Sequence, residues 1–213
     1  ETFCCAARVL DQGPGWFVQM GSQGSAGTKV LSVSGDCTSP GIYEVPFGIG
    51  IRELLDMVGG EDAHALQIGG PSGQLIGEDA FDRTICYDDL ATGGSIVIFN
   101  AERDVLHIAR KFMEFFVEES CGYCTPCRVG NILLRNKLDD FIAGNAGPED
   151  IDYMEQLGKT MKLTSRCGLG QTSPNPVLTS IANFRPAYEA RMKKASGSFL
   201  PGFDITAALA EGE

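Results

Sequence analysis

No stretch of this sequence is apolar for long enough to cross a bilayer as a helix, which takes about 20 consecutive residues. No secretory leader is visible either. The eight cysteines are therefore read as thiols of a reducing, cytoplasmic environment, where they are free to hold a metal, and not as disulfides. Basic residues are scarce: 17 Lys and Arg stand against 28 Asp and Glu, for a net charge of −11. That balance disfavours nucleic acid and anionic membranes as partners. Phosphate loops are missing as well. The segment Gly24 to Lys29 lacks the Gly-Lys-Thr/Ser order and leads into a strand-like run. Gly48-Ile49-Gly50 lacks the third glycine of a dinucleotide fingerprint. Nothing in the sequence is expected to cradle a dinucleotide. The chain has no methionine at position 1, which leaves room for a piece of a longer protein.

What is present begins with composition. The 213 residues suffice for one large or two small domains. Hydrophobic residues at 43% can build a core, and 21% charged residues argue against wholesale disorder. The most informative stretch is Glu119-Ser-Cys-Gly-Tyr-Cys-Thr-Pro-Cys-Arg128. Cys121, Cys124 and Cys127 are each separated by two residues, and Cys167 follows after thirty-nine more. Three thiolates in one loop plus one remote thiolate suit a 4Fe-4S cluster, in which each iron takes one protein sulfur. Structural zinc favours two separated pairs, and buried structural thiols need no regular spacing. Both remain alternatives, as a zinc-stabilised binding module or a scaffold. Cys4 and Cys5 are adjacent, so they point apart on a helix and read as core thiols.

The periodicity divides the chain. Residues 2–20 read as a helix interrupted at Gly13-Pro14-Gly15, and residues 21–28 as a Gly/Ser-rich connector. Val30–Gly35 and Ile42–Val45 read as a hairpin. Ile51–Val58 reads as a helix stopped by Gly59-Gly60. Ala65–Gly70, Leu75-Ile76 and Ser95–Phe99 read as strands. Residues 29–103 are thus expected to form an α+β domain of β-grasp type. From Asp104 the pattern is helical, with Val105, Ile108, Ala109, Phe112, Phe115 and Phe116 forming an apolar stripe. A second helix, with Thr125 as N-cap and Pro126 first, carries Ile132, Leu133, Leu138 and Ile142. A third opens at Pro148 and a fourth spans residues 176–192. Residues 104–195 are expected to form a four-helix bundle with the cysteines at one end, and residues 196–213 a tail. Helix starts beside the cysteines would aim backbone N–H groups at the sulfurs. Arg128 and Arg166 flank ligands and either assist in this or are ordinary surface arginines.

These residues carry a family resemblance. Glu119-Ser-Cys-Gly-x-Cys-x-Pro-Cys-Arg, with the distant Cys167-Gly168-Leu169-Gly170, resembles the flavin- and NADH-binding iron–sulfur subunit of respiratory complex I and its soluble relatives. Residues 29–103 are similar to its soluble-ligand-binding β-grasp (SLBB) domain, and residues 104–195 to its cluster-bearing bundle. Residues 1–28 resemble a helix and linker left from an upstream flavin/NADH domain. Glu1-Thr2 resembles the end of a stretch that holds flavin phosphate. Thr164–Pro174, Phe3–Arg8 and Leu200–Ile205 look most like the large diaphorase subunit of soluble NAD-reducing nickel–iron hydrogenases. The β subunit of NAD-dependent formate dehydrogenase and the flavoprotein subunit of complex I are the near alternatives.

The resemblance implies an oxidoreductase subunit in which NADH passes hydride to FMN and single electrons then reach the cluster. It implies Cys121, Cys124, Cys127 and Cys167 as cluster ligands, and Thr2, Leu169 and Gly170 as flavin contacts. FMN and NAD are expected on the upstream domain, which this chain lacks. Alone the chain would be an electron relay and not a complete dehydrogenase. Implied partners are other hydrogenase or diaphorase subunits, including a small iron–sulfur subunit.

Overall fold

The computed structural model describes residues 1–193, so the proposed tail at residues 196–213 lies outside the described residues. Two short helices, α1 (Thr2–Gln12) and α2 (Pro14–Val18), come first. Their break falls at Gly13 and Pro14. The connector that follows folds into a small ladder of β1 (Gly21–Ser22) and β2 (Ser25–Ala26), which the Gly/Ser-rich composition hides.

The sheet proper contains β3 (Thr28–Gly35), β4 (Gly41–Pro46), β5 (Ala63–Ile68), β6 (Gln74–Gly77) and β7 (Ser95–Asn100), in the order β4-β3-β7-β5-β6. Only β3 and β7 run parallel; the other neighbours are antiparallel. Period-two alternation places Leu31 and Val33 of β3, and Ile96 and Ile98 of β7, on one face. Helix α3 (Ile51–Val58) lays Ile51, Leu54, Leu55 and Val58 against that face.

The helical half comprises α4 (Val105–Glu119), α5 (Thr125–Ile142), α6 (Pro148–Thr164), α7 (Gly168–Thr172), α8 (Asn175–Asn183) and α9 (Arg185–Glu189). Asp104 caps α4, its carboxylate accepting from the Leu106 N–H at 3.0 Å. Its core gathers Leu106, Met113, Phe116, Leu134, Leu138, Phe141, Met154 and Met161 around Tyr188. The two halves meet at β6. The Leu75 N–H donates to Thr179 Oγ1 at 2.9 Å, and the Leu75 carbonyl accepts from Asn183 Nδ2 at 2.8 Å. Side chains of α8 thereby satisfy an edge strand that would otherwise offer its backbone to another chain.

Several expectations are corrected. Cys4 is exposed and Cys5 half-buried, because no residue of α1 is buried by the described part of the chain. The helix expected over residues 176–192 is two helices, since Pro186 removes a backbone donor next to the break at Phe184. On α4, Phe115 is exposed and Leu106 and Met113 are buried instead. That helix has two apolar sides, the second turned toward Val97 and Phe99 of the sheet through Ile108 and Phe112. On α5, Ile132 is exposed, while Leu134 and Phe141 are buried with Leu138. The inward face there is 127, 130, 131, 134, 138 and 141, and a glycine and an asparagine disguise it.

Candidate metal centre

Cys121 and Cys124 lie in the turn from α4 into α5, and Cys127 in the first turn of α5. The N-cap of α5 is Cys124, with Thr125 and Pro126 as its first two residues. This moves the expected cap back by one, from Thr125. Cys167 is the N-cap of α7. Two of the four thiols thus stand at helix starts, where unpaired N–H groups favour negative charge. Backbone N–H groups of Arg166 and then Cys127 donate toward the Cys124 sulfur and hold its thiol below the ordinary value, with the Arg128 charge adding to them.

The loop is braced from several sides. Gly122 takes φ +74°, a left-handed turn that a side chain would strain. Its carbonyl accepts from Arg128 Nη1 at 2.6 Å. Arg166 lies over the Tyr123 ring, 4.8 Å from its centre, joining the two cysteine segments by a cation–π contact. Both arginines are therefore parts of the loop's architecture and not free surface charges.

Cys121, Tyr123, Cys124, Arg166 and Cys167 line one open cavity. Cys127 is buried next to Cys124, and its sulfur lies 3.3 Å from Ser120 Oγ and 3.4 Å from Asn131 Nδ2. Gly170 is buried, and a Cβ built on it would stand 3.0 Å from the Cys127 Cβ. That contact seats α7 on α5 and carries Cys167 toward the other three. Among the described residues, no three Cys, His, Asp or Glu side chains converge closely enough to grip a single ion. Three thiols on one cavity, with a fourth buried beside them, make a soft all-sulfur donor set of the kind that suits an iron–sulfur group.

Other sequence-derived candidates fall elsewhere. Thr2 is exposed on α1. Leu169 is half-buried and packs on the helical core. Cys37 packs beside the sheet core and Cys86 is buried, both away from the cavity lining. Sequence reasoning passed over Ser120 and Asn131. The available signal was spacing, since Asn131 follows Cys127 by four residues and so shares its helical face.

Residues 107–191 match the NADH-ubiquinone oxidoreductase-F iron-sulfur binding region. This part of the chain belongs to that family. Its relatives agree. The chain is 48% identical over 211 residues to the alpha subunit of the NAD-reducing hydrogenase HoxS of Cupriavidus necator, covering 98% of this chain and 35% of that protein. It is 36% identical over 203 residues to the NADP-reducing hydrogenase subunit HndC of Solidesulfovibrio fructosivorans, covering 90% and 41%. It is 32% identical over 207 residues to the mitochondrial NADH dehydrogenase (ubiquinone) flavoprotein 1 of Dictyostelium discoideum, covering 91% and 43%. A crystal structure of an NAD+-reducing NiFe hydrogenase in the H2-reduced state superposes with a TM-score of 0.85 at 34% identity, over 98% of this chain and 37% of that one. The chain therefore spans less than half of the length of each of these relatives. No helix among the described residues is long and apolar enough to cross a membrane.

Proposed function

We propose that this chain is the electron-transfer part of an NAD(H)-linked flavin iron–sulfur oxidoreductase subunit, of the diaphorase type found in soluble NAD-reducing hydrogenases. Cys121, Cys124, Cys127 and Cys167 hold a 4Fe-4S cluster, which when bound supplies one-electron chemistry. The observation that carries this reading is the gathering of three thiols on one cavity with Cys127 buried beside them, inside the segment that matches the iron–sulfur family. The protein's own residues do the holding. Backbone N–H groups at the start of α5 favour the thiolate form of Cys124, and Arg128 and Arg166 keep the loop closed around it.

The division of labour follows from the same reading. Residues 1–28 lead from a flavin- and NADH-binding part of the full subunit, residues 29–103 are an SLBB-like β-grasp domain, and residues 104–195 are the cluster-bearing four-helix bundle. The strand order β4-β3-β7-β5-β6, with one parallel central pair and α3 packed on one face, supports the β-grasp assignment. Thr2 and Leu169 retain exposed surface for a flavin contact. Gly170 does not, because it is buried between Ser165 and Cys127. The partners are the remaining subunits of a cytoplasmic hydrogenase or diaphorase complex, a small iron–sulfur subunit among them. Iron and acid-labile sulfide assays on the purified protein test the core of the proposal. About four of each per chain, with broad visible absorption, is the expected result. Zinc in their place would overturn it.

A further inference from the structure

We propose that Asn131 sets the reduction potential of the cluster by donating a hydrogen bond to the Cys127 sulfur, an inference that rests on the four-thiolate reading above. Asn131 lies one turn beyond Cys127 on the inward face of α5 and is fully buried. Its Nδ2 is 3.4 Å from Cys127 Sγ and 3.3 Å from the Phe116 carbonyl. A ligating Cys127 is a thiolate with no proton to give. Both its side-chain neighbours, Asn131 Nδ2 and Ser120 Oγ at 3.3 Å, then act as donors. The amide orientation is fixed on the same ground, because turning Oδ1 inward would set an acceptor against both a thiolate and a carbonyl.

The other end of the side chain shows why an amide is there at all. Asn131 Oδ1 is buried and has no hydrogen-bond partner among the described residues. A leucine would occupy similar space without burying an unpaired oxygen. Packing therefore does not account for asparagine at this position. Its two donated protons do, one to a helix-end carbonyl and one to the sulfur. Cys121 and Cys167 are exposed, so water competes for hydrogen bonds at those sulfurs, and half-buried Cys124 takes its protein donors from the backbone, which no side-chain change removes. At buried Cys127 the donors are side chains. A donor fixed at a buried sulfur stabilises the more negative, reduced cluster and raises its potential. The competing role for Asn131 is a purely mechanical tie from α5 to the Phe116 carbonyl of α4.

The experiment is a redox titration followed by electron paramagnetic resonance on the intact, cluster-loaded protein and its Asn131→Leu and Asn131→Asp variants, with Tm measured alongside. Loss of the donor in Asn131→Leu should weaken reduction about tenfold, which is about 59 mV downward for one electron. Asn131→Asp, with an acceptor in the same volume, should fall at least as far. An unchanged potential with a lowered Tm would leave only the mechanical tie and overturn the proposal. If the variants fail to hold iron, the wild-type protein with nitrogen-15 in its asparagine side chains decides the matter. Pulsed resonance on the reduced cluster should then show a nitrogen-15 coupling carried through the hydrogen bond, and its absence would overturn the proposal. A wild-type protein without a 4Fe-4S signal would remove the cluster reading itself. A normal signal with an unmoved potential removes only the role of Asn131.

Discussion

Gly170 and Cys127 are packed so closely that a Cβ on the glycine would stand 3.0 Å from the cysteine Cβ, and 2.7 Å from both Cβ and Oγ of Ser165. The space for a side chain is simply absent, and α7 sits on α5 because of it. Gly170→Ala should force the two apart at a cost of about 1–3 kcal/mol. Cys167, the cap of α7, should move with its helix, so iron content should fall together with Tm. Gly168→Ala is the control, since a Cβ there meets nothing within 4 Å. Equal iron loss in both variants would mean that the Gly170 contact does not position Cys167.

Replacing Cys124 by Ser should convert or destroy the cluster and loosen the loop that precedes α5. Cys37→Ser and Cys86→Ser should leave iron and sulfide content at the wild-type level, because neither thiol lines the cavity. Metal analysis of the three purified variants separates these outcomes. Iron loss from Cys37→Ser matching that from Cys124→Ser would sink the ligand assignment.

Leu169 bears on the flavin. It is half-buried against the helical core and adjoins the exposed Gly168. In the full-length subunit, Leu169→Asp should place a charge in a dry contact and reduce FMN content. The four thiols are untouched, so dithionite should still reduce the cluster while NADH should do so poorly. Unchanged FMN content and unchanged reduction by NADH would assign Leu169 to core packing alone.

A pH dependence follows from Asp150 at the start of α6. Burial pushes its carboxyl up, but the Lys137 ammonium at 2.8 Å and the Gly147 N–H at 2.9 Å together outweigh that, and the net shift is downward. A depressed carboxyl adds stability above the unfolded value of about 3.9 and loses it as pH falls through the lower folded value. Asp150→Asn keeps an acceptor for the Gly147 N–H but loses the ion pair with Lys137, so it should cost up to about 1 kcal/mol at pH 7, and the gap to wild type should close in acid. Urea unfolding at neutral and acid pH measures this, and a gap independent of pH would show that charge is not what Asp150 contributes.

The edge of the sheet offers a test away from the thiols. Thr179→Val should strand the Leu75 N–H, which now donates to the threonine hydroxyl at 2.9 Å. An orphaned donor in this half-buried seam costs about 1–3 kcal/mol. Denaturant unfolding should register that loss while iron content stays constant. A neutral substitution would mean that the β6 edge is satisfied in another way.

The sequence by itself determined the local pieces. Alternation at Leu31 and Val33 marked a strand, the spacing of Leu54, Leu55 and Val58 marked α3, and Gly59 marked its end, because each depends on neighbours a few residues away. Cysteine spacing likewise singled out Cys121, Cys124 and Cys127 as one loop, since the reach of three thiols in one loop is a local property of the chain, whereas the place of Cys167 beside them depends on the seating of α7 on α5. Periodicity shows which face is apolar but not which surface it will meet. Hence the parallel pairing of β3 with β7, the α8 side chains on the β6 edge and the exposure of α1 were illegible. Asn131 was hidden for the same reason. In sequence it reads as a polar interruption of a helix, and only the packing of α4 against α5 sets its amide between the Phe116 carbonyl and the Cys127 sulfur, where its polarity is used.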